Sequence, residues 1–255
     1  MSLSSLRALS KKRAFLLHLS ASALVVGTLC ALIFFLWYPE PYFAAKGAAS
    51  VLRVLVGVDL ILGPLLTLIL FKPHKPGLIV DVSVIAIIQL SALIYGTTVI
   101  YQERPYYSVF AVDRFQVLSY GEVDSSMITH DELRQKPFIG PVLAVARLPE
   151  DQETFQQLLH ETLFEGKPDI DRRPEFWQPY SEGSAAVIAR ARSLTDLISE
   201  KPEAEEEVTN LTEKTGRSID SLAYLPFVGK GESFTYVIDA ETGTPIDIIN
   251  VDPWG

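Results

Sequence analysis

Two long apolar segments joined by a six-residue turn constrain the fold of this chain more than any other feature of its sequence. Residues 51–71 contain 21 residues, of which only Arg53 and Asp59 are charged at neutral pH. Residues 78–101 contain 24 residues, with Asp81 as the single charged group. As a helix rising about 1.5 Å per residue, either segment can cross a hydrocarbon core of ~30 Å. The sequence therefore predicts a membrane hairpin.

Asp59 and Gln89 are expected at the same depth in this hairpin. Asp59 lies twelve residues before the end of its segment, and Gln89 lies eleven residues after the start of the next. On helices these positions are about 18 Å and about 16 Å from the turn. A carboxyl group in hydrocarbon is costly unless it has a partner or is protonated, and an amide on a neighbouring helix is a suitable partner. We predict that Asp59 faces Gln89.

Small and polar residues mark the faces on which the two helices would meet. The residues of the first face recur every four positions, and the second face has small residues four apart. The two faces comprise Asp59, Gly63 and Thr67 on the first helix, and Gln89, Ala92 and Gly96 on the second. Pro64 cannot donate a backbone hydrogen bond to the carbonyl four residues earlier, which predicts a bend close to Asp59.

These residues admit more than one role. They can serve only as packing contacts among membrane helices, or they can also bind the helix of a partner. An intramembrane aspartyl protease is a further interpretation, but its two carboxyls must come within ~3 Å of each other. Asp81 is expected only about 4–5 Å from the turn, whereas Asp59 is about 18 Å away from it. These depths argue against a catalytic pair.

The chain divides sharply in charge. Residues 1–101 carry eight Lys or Arg against three Asp or Glu, whereas residues 102–255 carry 14 against 28. We predict a membrane anchor over residues 1–104 and an acidic domain over residues 105–255. This acidity argues against nucleic acid as a partner, because phosphate binding requires a basic surface.

A third apolar segment, residues 14–37, precedes the hairpin and follows a basic N-terminus that contains Arg7, Lys11, Lys12 and Arg13. The segment is too long for the apolar region of a signal peptide, so we expect an uncleaved span that Pro39 and Pro41 end. Basic residues concentrate at the N-terminus and in the turn 72–77, which the positive-inside rule places in the cytoplasm. In a bacterium, this predicts an inner-membrane protein whose C-terminal domain is periplasmic.

Histidine and cysteine residues indicate no metal or cofactor site. His130 and His160 are isolated, and no pair of His or Cys residues has the spacing of metal ligands. Cys30 is the only cysteine, so no disulfide is expected. His18 should lie at a depth similar to that of Asp81. A contact between these two residues and snorkelling of either one to the interface both remain open.

The predicted fold class is a membrane anchor of three transmembrane helices, at about 14–37, 51–71 and 78–101, followed by an α+β periplasmic domain. The domain should contain a mainly antiparallel sheet with a helical insertion. Apolar alternation predicts strands at 106–112, 115–120, 141–146, 222–228, 233–238 and 246–251. Helical periodicity predicts helices at about 150–164 and 185–199, and a third after Pro202. Residues 165–183 should form a connecting loop that exposes Phe176 and Trp177.

Known catalytic motifs are missing from this sequence. It contains no Gly-rich phosphate loop, nucleophile elbow, zinc spacing or dinucleotide fingerprint. We therefore predict that the protein is not an enzyme. Two converging carboxyls with shifted pKa values in a pocket of the acidic domain would revive an enzymatic interpretation.

Several runs resemble the type IV pilin accessory proteins of the TfpX/TfpZ type. They read GVDLILGPLLT at 57–67, FKPHKPG at 71–77 and YQERP at 101–105, with similar motifs at 37–39 and 251–254. The likeness covers the whole chain in layout and is most specific between Trp37 and Pro105. It implies an inner-membrane, chaperone-like protein that helps one type IV major pilin to accumulate or assemble, without enzymatic activity.

A membrane-anchored periplasmic sensor is the alternative function. The predicted cytoplasmic parts are only about thirteen N-terminal residues and the six-residue turn, so a sensor would need a separate output partner. Whether the protein forms a homo-oligomer is left open.

Overall fold

The computed structural model describes residues 9–39, 42–73, 75–231 and 233–254. Arg7, Pro41 and His74, which the sequence analysis used, lie outside these residues. The chain forms two compact units. The first consists of Met1–Trp37 and Ala48–Gln102, and the second of Tyr38–Gly47 and Glu103–Gly255.

The first unit contains long apolar helices. Within the described residues, three helices are long and apolar enough to cross a membrane by length and composition: α1 (Lys11–Trp37), α3 (Ala49–Leu70) and α4 (Leu78–Gln102). A one-turn helix, α2 (Tyr42–Ala45), lies between the first two in sequence and belongs to the second unit. The side chain of Ser10 caps α1 by accepting from the N–H of Arg13.

Helix α3 is irregular in its middle, where Asp59 lies. Gly57–Leu62 forms a π-helix, and the N–H of Gly63 donates to the carbonyl of Val58, five residues earlier. Pro64 follows at once and has no N–H to donate, so the regular pattern cannot continue through it. The sequence predicted a bend close to Asp59, and the structure has a widened helical turn around this residue.

A mixed sheet forms the centre of the second unit. In the described residues it has eight strands: β1 (Pro105–Ala111), β2 (Arg114–Ser119), β3 (Val142–Ala146), β4 (Trp177–Pro179), β5 (Arg192–Ser193), β6 (Leu222–Val228), β7 (Ser233–Asp239) and β8 (Pro245–Ile249). The spatial order is β4-β3-β1-β2-β6-β7-β8, and β5 pairs with β6 off this path.

The prediction of a mainly antiparallel sheet is only partly correct. Of the strand pairings within the described residues, five are antiparallel and two, β1 with β3 and β2 with β6, are parallel. Parallel neighbours need a long crossover connection. The segments that follow β2 supply both crossovers. The prediction missed the parallel pairs because an alternating pattern of apolar residues does not reveal the direction in which two strands pair.

Alternate residues of the central strands pack on opposite faces of the sheet, as the two-residue period of a strand requires. Phe110 and Phe115 belong to a core cluster on one side, together with Phe227. Tyr107 and Val109 belong to a separate cluster. Both faces are therefore buried.

The helices of the second unit differ from the prediction in one region. They are α5 (Gln152–Phe164), α6 (Tyr180–Ile188), α7 (Leu194–Glu200) and α8 (Ala204–Thr215). The single helix predicted at 185–199 is wrong, because β5 interrupts it and pairs with β6. The hydroxyl of Ser193 then accepts from the N–H of Asp196 and caps α7.

Trp177 is buried, which contradicts the predicted exposure of this residue. Only 1% of it is accessible to solvent. Its Nε1 donates to the carbonyl of Ile170 at 3.2 Å, and its ring lies edge-on to Tyr107 with centroids 5.1 Å apart. Phe176, by contrast, is half-buried. The loop around Trp177 is thus held to the sheet by its largest side chain.

The segment Tyr38–Gly47, between the first two apolar helices in sequence, is part of the second unit. Tyr42 and Ala45 are buried in the core cluster that contains Phe227. The N–H of Lys230 donates to the carbonyl of Ala45 at 2.6 Å. A Cβ atom on Gly229 would overlap that carbonyl, so only glycine allows this approach. The sequence analysis had assigned the whole segment to the membrane anchor.

Candidate functional site

A groove in the first unit contains most of the polar side chains that the sequence analysis selected. It encloses about 200 Å³ and is lined by α1 and α4, with Asp59 of α3 also part of its wall. The lining residues are His18, Ala21, Ser22, Val25, Asp59, Ala86, Gln89, Leu90 and Leu93.

A second hollow of about 360 Å³ shares His18 and Ala86 with the first. Its other lining residues are Leu9, Ala14, Leu17, Thr67, Phe71 and Val82. Together the two hollows extend along α4 from Val82 to Leu93, a distance of about 16 Å on a helix. The groove is therefore long, narrow and mostly apolar.

Asp59 and Gln89 meet in the first hollow. Gln89 Nε2 lies 3.3 Å from Asp59 Oδ1 and 3.4 Å from the backbone carbonyl of Asp59. Both distances exceed the usual range of about 2.7–3.2 Å for such bonds. The predicted contact is thus present, through one amide group shared between two acceptors.

One oxygen of each side chain remains without a partner. Asp59 is 5% exposed and Gln89 is 8% exposed. Oδ2 of Asp59 and Oε1 of Gln89 are buried, yet neither has a hydrogen-bond partner among the described residues. A buried acceptor without a donor costs free energy, typically about 1–3 kcal/mol. These two oxygens are the strongest chemical feature of the groove.

Gly63, Pro64 and Thr67, the other residues selected on α3, are all buried. A Cβ atom on Gly63 would overlap the side-chain amide of Gln89, so this glycine gives Gln89 its room. The hydroxyl of Thr67 lies 2.6 Å from Nδ1 of His18. The first predicted face therefore makes contacts with both α1 and α4.

Ala92 and Gly96 do not line the groove. Gly96 packs against α3, where an added Cβ would lie 3.1 Å from Cδ1 of Leu55. Ala92 is half-buried. The predicted face of α4 does meet α3, but its C-terminal part serves close helix packing and lies away from Asp59.

His18 is the groove residue whose role the sequence analysis missed. Of its two open possibilities, the contact with Asp81 is wrong: His18 bonds Thr67, and Asp81 pairs with Lys75 at 2.5 Å. The predicted depth of His18 was correct within one helical turn. Depth alone, however, does not specify which faces of two helices are turned toward each other. The spacing of His18, Ser22 and Val25 at three to four residues was a usable signal for one face of α1.

The second unit has a cavity of about 390 Å³ that tests the enzymatic interpretation. Asp169, Asp171 and Trp254 are among its lining residues. Burial raises the pKa of Asp171. The carboxylate of Asp169, however, accepts from the N–H of Ile170 at 2.8 Å and so caps a helical turn. Asp169 therefore has a structural role in this turn.

Metal binding has no structural support within the described residues, where no group of three His, Cys, Asp or Glu side chains is placed to hold an ion. The groove is a mostly apolar channel with two buried hydrogen-bond acceptors that have no donor among the described residues.

The chain is similar in sequence to known fimbrial assembly proteins. A family model described as fimbrial assembly protein FimB matches residues 6–47. The chain is 35% identical over 219 residues, 84% of this chain and 83% of the relative, to the fimbrial assembly protein of serogroup I from Dichelobacter nodosus. It is 34% identical over 217 residues to the serogroup E1 protein of that organism, covering 83% of this chain and 84% of the relative.

A third relative, the fimbrial assembly protein of serogroups C1 and C2 from the same organism, is 45% identical over 111 residues, which is 43% of this chain and 82% of the relative. No solved structure matches the chain.

Proposed function

The chain belongs to the family of fimbrial assembly proteins, and we propose that it is an inner-membrane accessory protein for one type IV major pilin. In this role it assists the accumulation or assembly of the subunit in a chaperone-like way and catalyses no reaction. The names of the relatives support a part in fimbrial assembly. Three long apolar helices support a membrane location, and the basic residues at the N-terminus support a periplasmic acidic domain.

One observation carries this proposal: the groove of the first unit presents two buried polar side chains that are only half satisfied. Packing alone would be served as well by apolar residues, since a polar group in hydrocarbon is costly. Asp59 and Gln89 bond each other weakly and each keeps one free oxygen. Such a pair is expected where another molecule completes the hydrogen bonding.

The proposed mechanism uses the groove to hold the subunit before polymerisation. A pilin waiting for assembly is held in the membrane by one apolar helix, with its globular head in the periplasm. That helix would pack in the groove beside Asp59, while the acidic domain would contact the head. The binding of a helix by a groove with small and polar residues follows the general physics of helix association in membranes.

A site-specific crosslink tests the proposal. A photoreactive residue is placed at Leu90, which lines the groove, and at Ile88, which is 59% exposed but does not line it. We expect the major pilin as the main adduct from position 90 in intact membranes and little from position 88. Equal yields from both positions, or no pilin from either, would contradict the proposal. Gly63 is unsuitable for the probe because any side chain there displaces Gln89.

A further inference from the structure

We propose that the groove recognises a side-chain hydrogen-bond donor on the membrane helix of the fimbrial subunit, at the level of Asp59. This inference rests on the proposed function and adds the chemistry by which the occupant is recognised. The occupant would carry a hydroxyl, amide or ammonium group that reaches both free oxygens.

The free atoms are acceptors, which defines the chemistry of the missing partner. Oδ2 of an ionised Asp59 and Oε1 of Gln89 can only accept hydrogen bonds. Both atoms are buried and unpartnered among the described residues, and both side chains are more than nine-tenths buried. A group with one or more N–H or O–H bonds is therefore the complement of this site.

Two nearby polar groups already have hydrogen-bond partners. Nε2 of Gln89 is shared between Oδ1 and the backbone carbonyl of Asp59. Nδ1 of His18 is bonded to the hydroxyl of Thr67. Neither of these groups bonds Oδ2, which is open to a donor from the occupant.

The shape of the groove fits a helix. Its two hollows run along α4 from Val82 to Leu93 and are lined mainly by apolar side chains. This length corresponds to about three turns of helix. In a hydrocarbon environment an extended segment would leave its backbone groups unbonded, whereas a helix satisfies them internally.

Asp59→Asn is the decisive substitution because it keeps the volume and changes the chemistry. Oδ1 of the amide still accepts from Gln89, but Nδ2 replaces Oδ2 and turns an acceptor into a donor. An occupant that donates would then face another donor. If Asp59 were instead protonated, its hydroxyl would itself donate a hydrogen bond. The side-chain amide of Asp59→Asn would then donate in the same way, and the substitution would change little.

The test measures the yield of the pilin adduct from a photoreactive residue at Leu90 in Asp59→Asn and in the control Asp81→Asn. Asp81 is the other carboxyl of the hairpin, but it pairs with Lys75 and does not line the groove. We expect a loss of about tenfold for Asp59→Asn, the effect of one interhelical hydrogen bond, and no change for Asp81→Asn. Unchanged yield in Asp59→Asn overturns the donor inference but leaves the proposed function standing, whereas absence of the adduct in the unmodified chain contradicts the proposed function itself.

A second pair of variants guards against misfolding. Gly63→Ala displaces the Gln89 amide, whereas Gly57→Ala, on the same helix, adds a Cβ atom with nothing within 4 Å. We expect Gly63→Ala to reduce the adduct several-fold and Gly57→Ala to leave it unchanged, at equal protein levels in the membrane. Equal effects of both alanines would overturn the inference, because helix distortion would then account for the loss.

Discussion

Lys46 donates to Glu122 across 76 residues of sequence, with its Nζ 2.9 Å from Oε2. The side chain of Lys46 is only 4% exposed, whereas that of Glu122 is 36% exposed. The carboxylate of Glu122 also accepts from the N–H of Ser119 at 2.7 Å and thereby caps the turn after β2. This ion pair fastens the segment between the first two apolar helices to the sheet of the second unit.

Replacement of Glu122 by Gln should destabilise the second unit by about 1–2 kcal/mol, because it leaves a nearly buried ammonium group without its counter-charge. Partial exposure of Glu122 keeps the expected loss at this modest level. Urea unfolding of the detergent-solubilised chain measures it. Glu150→Gln is the matched control, since its pair with Arg147 is 83% and 66% exposed and should contribute less than about 0.5 kcal/mol.

The same pair predicts a dependence of stability on pH. Burial by itself raises the pKa of Glu122, but the hydrogen bonds from the Ser119 N–H and from Lys46 outweigh it, and the pKa lies below its ordinary value of 4.5. Its contribution is therefore complete above about pH 5 and is lost as the pH falls through the folded-state pKa. The difference in unfolding free energy between the native chain and Glu122→Gln should shrink as the pH falls below about 5. A difference in unfolding free energy that stays constant with pH would contradict the lowered pKa of Glu122.

Tyr42 should contribute strongly to the stability of the second unit, although it lies between two apolar helices in sequence. It is 8% exposed and its ring lies edge-on to Phe227, with centroids 5.9 Å apart. Burial raises its pKa to about 12. Tyr42→Ala should cost about 3–5 kcal/mol in thermal unfolding. Tyr42→Phe, which removes only the hydroxyl, should cost about 1 kcal/mol, and similar losses for both would show that packing is not the main contribution.

Val112 has an unfavourable backbone conformation at the turn between β1 and β2. Its φ is +61°, and the N–H of Asp113 donates to the carbonyl of Ala111 across it at 2.7 Å. This γ-turn is strained for a β-branched residue. Because Val112 is 48% exposed, Val112→Gly should remove strain with little loss of burial and stabilise the unit by about 1 kcal/mol. Val112→Ala keeps a Cβ atom at positive φ and should gain less stability. If Val112→Gly is instead less stable than the native chain, Val112 is not strained.

The sequence was sufficient for features that depend on neighbouring residues. The apolar helices follow from segment length and composition, and β6 was predicted at its observed limits, Leu222–Val228. The meeting of Asp59 and Gln89 followed from equal depths on two helices joined by a short turn, because the rise per residue is constant along a helix. Local periodicity reports how a segment folds, since backbone hydrogen bonding repeats every few residues.

Only the tertiary structure decided which surfaces meet. The parallel pairings of the sheet, the burial of Trp177 and the contact of His18 with Thr67 join residues that are distant in sequence. The inclusion of Tyr38–Gly47 in the second unit is of the same kind. A short segment with two buried Tyr residues and one buried Lys has no periodicity that distinguishes it from a loop. Its placement depends on the space that Gly229 leaves open and on the charge that Glu122 supplies, and neither is a local property of the segment.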